Sequence, residues 1–101
     1  MRVVLDPRVS REQSGERPAL VLSDREFNKL TGYVFVAPVT GTRRGWPFEV
    51  PIPASGTVQG AVLADRTKSI DYVARHVRRV ADAPDGLVDA VLELVVTILA
   101  P

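Results

Sequence analysis

The apolar positions of this chain fall in short runs, and glycine, proline or a cluster of charges closes each run. "RVVL" at residues 2 to 5 reads as a strand, rich in valine. Asp6-Pro7 is expected to end it, because proline offers no N–H to a ladder. Residues 8 to 16 are polar, contain Gly15 and read as a loop. Residues 17 to 22, "RPALVL", are too continuously apolar for a strand with one wet face. That pattern predicts a central strand, with Pro18 tolerated near its start. Ser23 and Glu26 have the spacing of a capping box, which predicts a short helix to about Thr31 with Gly32 as its stop.

"YVFVAPV" at 33 to 39 is the next strand, and "TGTRRG" at 40 to 45 is a loop. "WPFEVPIP" at 46 to 53 alternates Phe48, Val50 and Ile52 against Glu49 and the prolines, as an edge strand with one buried face does. Residues 58 to 64 read as a strand with a bulge at Gly60, and 65 to 71 as irregular. A further strand is expected in the second half of 72 to 80. Pro84 opens a terminal helix to about Leu99. Its Leu87, Val91, Val95 and Leu99 recur every four residues, and Val88, Leu92 and Ile98 widen the stripe, so its role is core packing. Many short strands with one small and one terminal helix make a single mainly β, α+β domain over residues 1 to 101.

Composition narrows the possible chemistry. The chain is 46% hydrophobic and 25% charged, as in a soluble globular domain. No apolar run approaches the ~20 residues of a membrane span, and the first apolar segment is too short for a signal peptide, so a cytoplasmic location is expected. There is no cysteine, and His76 is the lone histidine, so neither a metal centre nor a cofactor is expected. Nucleophile-elbow, P-loop and zinc-protease motifs are absent. Catalysis is left to Glu, Asp, Arg, Lys, Thr or Tyr. A carboxylate base with an arginine clamp suits phosphoryl chemistry, because guanidinium presents a fixed fork of donors to phosphate oxygens. All 13 Lys and Arg lie before residue 80, whereas 81 to 101 carry Asp82, Asp85, Asp89 and Glu93. Such asymmetry fits an anionic partner for the body, and equally fits ordinary scatter.

Four segments could carry a site, and each also reads as plain surface. In the first loop Glu12, Gln13 and Arg17 stand at the mouth of a buried strand. Thr40 follows a strand and could donate to a phosphate oxygen, or simply cap. Arg43 and Arg44 adjoin Trp46, the mixture of charge and stacking surface that holds single-stranded nucleic acid. Asp65, Arg66 and Lys68 follow another strand.

The order of these segments adds what none carries alone. "EQSGERP", then "PVTGTRRGWPFEV", then "LADRTKS", resembles the MazF/PemK family of toxin endoribonucleases from about Asp6 to Ile70, and more weakly beyond. The resemblance implies a small SH3-like β-barrel with a short helix after the second strand and a C-terminal helix, acting as a homodimer. It implies metal-free, sequence-specific cleavage of single-stranded RNA, mRNA included, and restraint by an antitoxin with an acidic C-terminal tail. The family's functional positions fall on Glu12, Arg17 and Thr40 as catalytic residues, with Gln13, Arg43, Arg44, Trp46, Asp65, Arg66 and Lys68 as candidate RNA contacts. Whether Glu12 or Arg17 moves the proton is left open, and Asp65 is a rival base. Members have further residues before the first strand, so "MRVVLDP" implies either a short first strand or an upstream start. Arg66 stands where glutamine is frequent, which implies a different cut-site preference. Non-enzymatic toxins of the same barrel, which act on DNA gyrase, lack the Glu, Arg-Pro and Thr set, and an inactive RNA-binding module is the third possibility.

Overall fold

The computed structural model describes residues 2–7, 16–53, 58–74 and 77–100, with side chains from residue 18 onward except at 78–81. Among these residues seven strands form one antiparallel sheet. They are β1 (Arg2–Pro7), β2 (Glu16–Val21), β3 (Tyr33–Thr40), β4 (Glu49–Pro51), β5 (Ala61–Leu63), β6 (Lys68–Asp71) and β7 (Arg78–Asp82). The sheet runs β4-β5-β3-β2-β1-β7, with β6 joined to β3. Two helices, α1 (Arg25–Thr31) and α2 (Leu87–Leu99), complete the α+β, mainly β architecture that the sequence predicts. No helix among the described residues is long and apolar enough to cross a membrane.

Strand β2 is central and buried on both faces, as its continuous apolar run requires. Ala19 and Val21 join Val34, Val36 and Ile70 in one core. Leu20 and Leu22, one residue out of phase, join Ala37, Val39, Ile52, Val62 and Ala64 in the other, against Leu87 and Val91 of α2. Alternating side chains of the same two strands therefore build both cores.

Several boundaries differ from expectation, each for an identifiable reason. β1 continues through Asp6 and Pro7, which oppose Arg17 and Glu16. Its pairing with β7 reaches only to Leu5, so β2 is the one recorded neighbour at Pro7, and a missing N–H is tolerated there. The cap of α1 is Asp24, whose carboxylate accepts from the Glu26 N–H at 2.9 Å. Ser23 instead accepts from the Phe35 N–H at 3.0 Å and bonds Asn28 Oδ1, tying the helix to β3. Gly32 ends the helix as expected, at φ 78°, with its N–H on the Asn28 carbonyl.

Only Glu49–Pro51 of the expected strand at 46 to 53 is strand, at the sheet edge. The segment expected to be irregular contains β6, which holds a single buried apolar residue, Ile70, and so has no alternation to read. In α2 the stripe buries Leu87 and Val91 and half-buries Val88, Leu92, Leu94 and Val95. Leu99 is 75% exposed and Ile98 40%, so the last turn of the helix runs past the core.

One edge of β3 positions the site. It pairs with β6 along Tyr33–Val36 and with β5 at Val39 and Thr40, and is interrupted between them. The interruption falls at Pro38, which has no N–H to offer a ladder. Opposite it the chain leaves the sheet as a 3₁₀ turn, Ala64–Arg66, closed by the Thr67 hydroxyl donating to the Ala64 carbonyl at 3.0 Å. That detour carries Asp65 and Arg66 out to solvent.

Candidate functional site

The C-terminal end of β3 and the 3₁₀ turn enclose a small cavity of about 40 Å³. Thr40, Thr42, Arg44, Trp46, Glu49, Leu63, Asp65 and Arg66 line it. Five of these, from three separated segments, are residues singled out from the sequence: Thr40, Arg44, Trp46, Asp65 and Arg66. Thr40 opposes Ala61 at the last rung of the β3–β5 ladder. Its hydroxyl accepts from the Thr42 N–H at 3.1 Å, which turns the chain out of the sheet. A Cβ on the neighbouring Gly60, at φ 118°, would collide with the Thr40 carbonyl. Gly60 is therefore a place of close backbone approach rather than a spare bulge residue.

The loop after Thr40 has a built shape. The Glu49 carboxylate accepts from the Arg44 N–H at 3.0 and 3.2 Å and from the Gly45 N–H at 3.1 Å. The Glu49 N–H in turn donates to the Trp46 carbonyl at 3.1 Å. Trp46 is 54% exposed, which leaves ring surface free for stacking. Phe48 accepts from the Ala64 N–H at 3.0 Å, joining this loop to the 3₁₀ turn.

The other nominated residues stand as follows. Lys68 lies on β6 opposite Val36, and Arg43 is exposed on the loop; neither lines the cavity. Arg17 lies in β2, two residues before Ala19, and Ala19 opposes Pro38. The β2–β3 pairing runs from Ala19 to Val21, and Arg17 opposes Asp6 of β1. Glu12 and Gln13 lie outside the described residues. Thr42, Glu49 and Leu63 line the cavity without having been nominated. Glu49 had a signal, as the lone charge in an otherwise apolar and proline-rich edge segment. Thr42 and Leu63 had none.

A small, mainly β domain with arginines and a half-exposed tryptophan around one end of its sheet presents a surface suited to a single nucleic-acid strand. The chain belongs to the family of PemK-like, MazF-like toxins of type II toxin-antitoxin systems, whose model matches residues 2–99. It is 42% identical over 73 residues to the endoribonuclease toxin MazF of Escherichia coli K12, a match covering 72% of this chain and 65% of that protein's length. It is 40% identical over 95 residues to the endoribonuclease toxin ChpB of the same strain, covering 89% and 81%. Among solved structures, MazF in a MazE–MazF crystal from Deinococcus radiodurans matches with a TM-score of 0.88 at 36% identity, covering 98% of this chain and 91% of that one.

Proposed function

We propose that the chain is the toxin of a type II toxin-antitoxin pair and an endoribonuclease that cuts single-stranded RNA in the cytoplasm. The observation that carries this reading is the gathering of Thr40, Arg44, Trp46, Asp65 and Arg66 around one cavity. In the proposed reaction Glu12 takes the proton from a ribose 2′-OH. The 2′ oxygen attacks the adjacent phosphorus, and the 5′ oxygen departs, taking up a proton. Arg17 stabilises the charge that builds on the non-bridging oxygens, and Thr40 holds one of them by a hydrogen bond. Arg43 and Lys68, both exposed, extend the cationic face along which the strand lies, and Gln13 is assigned as a further RNA contact. The products are a 2′,3′-cyclic phosphate end and a 5′-OH end, formed without a metal ion. DNA has no 2′-OH and is not cut.

The active form is a homodimer, and the partner that restrains it is an antitoxin whose acidic C-terminal tail competes with RNA for the cationic face. Support comes from the charge of the body, where Arg43, Arg44, Arg66 and Lys68 are all exposed, and from relatives crystallised as MazE–MazF complexes. The test is incubation of the purified protein with a defined single-stranded RNA in EDTA, with mapping of both new ends. Cleavage is expected in EDTA, and Arg17→Ala should slow it by about 10²–10³. Wild-type rates from Arg17→Ala would overturn the role given to Arg17, and inhibition by EDTA would overturn the metal-free mechanism. Absence of any cleavage would favour a toxin that acts by binding.

A further inference from the structure

Residues 43–46 belong to no helix or strand, yet Arg44 and Trp46 form one wall of the cavity. One residue holds this loop from both sides. Glu49 takes the N–H groups of Arg44 and Gly45 with its carboxylate and gives its own N–H to the Trp46 carbonyl. Gly45 sits at φ 73°, where glycine is favoured, and successive amides around such a residue converge on an anion. Here the chain supplies that anion itself. Glu49 is anchored in turn, because it opposes Leu63 on β5, one residue before the turn that carries Asp65 and Arg66. Thr40 is held separately, by its rung with Ala61 and its bond to Thr42.

We infer that Glu49 is a positioning residue for substrate, which fixes Arg44 and Trp46 in the shape that receives an RNA strand and takes no part in the chemistry. The inference rests on reading the cavity face as the RNA site. A carboxylate beside a phosphate chain would ordinarily oppose binding. With its oxygens bonded to backbone amides, its charge is partly neutralised within the loop, and what it contributes is order. Without it the loop samples many shapes, and binding must pay the entropy of choosing one. Binding should therefore suffer while the turnover of bound RNA does not.

The test uses Glu49→Ala and Glu49→Gln with two probes. A fluorescent 2′-O-methyl RNA has no free 2′-OH to be cut and reports Kd by anisotropy. An unmodified RNA reports kcat and KM. Glu49→Ala is expected to raise both Kd and KM about tenfold, the scale of one charge-assisted hydrogen bond at a partly exposed site, with kcat within about twofold of wild type. Glu49→Gln keeps an acceptor oxygen and should fall between the two. Unchanged Kd in Glu49→Ala would overturn the inference. So would equal losses of kcat and of Tm in both variants, because that pattern marks a purely structural residue. Wild-type protein that binds the methylated RNA but leaves unmodified RNA intact would overturn the nuclease reading, and the Kd comparison would still judge Glu49. Wild-type protein that binds neither would overturn both.

Discussion

Gly60→Ala should be the most disruptive glycine-to-alanine change among the described residues. A Cβ built on Gly60 lands inside the contact shell of the Thr40 carbonyl oxygen, 2.9 Å from the carbonyl carbon and 3.2 Å from Gly41 Cα. Ordinary contact begins at 3.4 Å, and the obstructing atoms are all backbone, so no side chain can swing aside to make room. Either β3 separates from β5 at its last rung or Thr40 turns. Two costs add. Overpacking of this kind costs about 1–3 kcal/mol, and a non-glycine residue held at φ 118° costs a further ~1–3 kcal/mol. Even at the lower bound of ~2 kcal/mol, Tm should fall by roughly 8–16 °C for a domain of this size. Thermal unfolding followed by circular dichroism measures this directly. Gly41→Ala is the matched control, since a Cβ there meets nothing within 4 Å and its φ is not left-handed. It should stay within about 1 kcal/mol of wild type. Cleavage assayed below the lowered Tm adds a second readout. A displacement of about 1 Å in Thr40 should cost on the order of a hundredfold in rate. A Gly60→Ala protein whose Tm lies within about 2 °C of both wild type and Gly41→Ala would refute the close approach, and with it the account of how Thr40 is placed.

Two further outcomes follow from the local structure. Asp24→Ala should remove the helix cap and cost about 1 kcal/mol, a Tm decrease of roughly 4–8 °C, and an unchanged Tm would return the cap to Ser23. Arg44→Ala should weaken binding of single-stranded RNA and flatten the dependence of log K on log salt by about 0.7, so an unaltered slope would remove Arg44 from the phosphate contacts.

Most of the scaffold was legible because burial leaves a direct trace in residue type. The run from Ala19 to Leu22 is apolar at every position because β2 has a core on each side, and Gly32 stands where the helix end needs φ 78°. Features set by partners rather than composition were not legible. Ser23 and Glu26 have capping-box spacing, but β3 claims the Ser23 hydroxyl through the Phe35 N–H, and the cap moves to Asp24. β6 carries one buried residue, so no periodicity marks it, and it exists because β3 has an open edge there. The stripe of α2 continues to Leu99 in sequence, while the core beneath it ends about a turn earlier. Among the nominated site residues the same distinction holds. Arg44, Trp46, Asp65 and Arg66 declare themselves by charge and ring, and the fold gathers them. Glu49 stands out in sequence as a lone charge in an apolar edge segment, but what it holds shows only once its two amide partners are seen.

The candidate site is made where regular structure is interrupted, and each interruption traces to a particular residue. Pro38 coincides with the break in the β3 edge at which Asp65 and Arg66 leave the sheet. Gly60 permits the approach that holds Thr40 at the last rung. Gly45 and Glu49 give a loop outside the ladders a fixed form. None of these four is an RNA contact in the proposed reaction except through what it positions. A substitution at any of them should therefore act on cleavage through geometry, and its effect should track the displacement of Thr40 or of the Arg44–Trp46 wall rather than the loss of a charge or a donor. That expectation separates the two halves of the site. Disturbance at Gly60 should fall on kcat through Thr40, and disturbance at Glu49 should fall on KM through the loop, because the two are fastened to the sheet by different bonds.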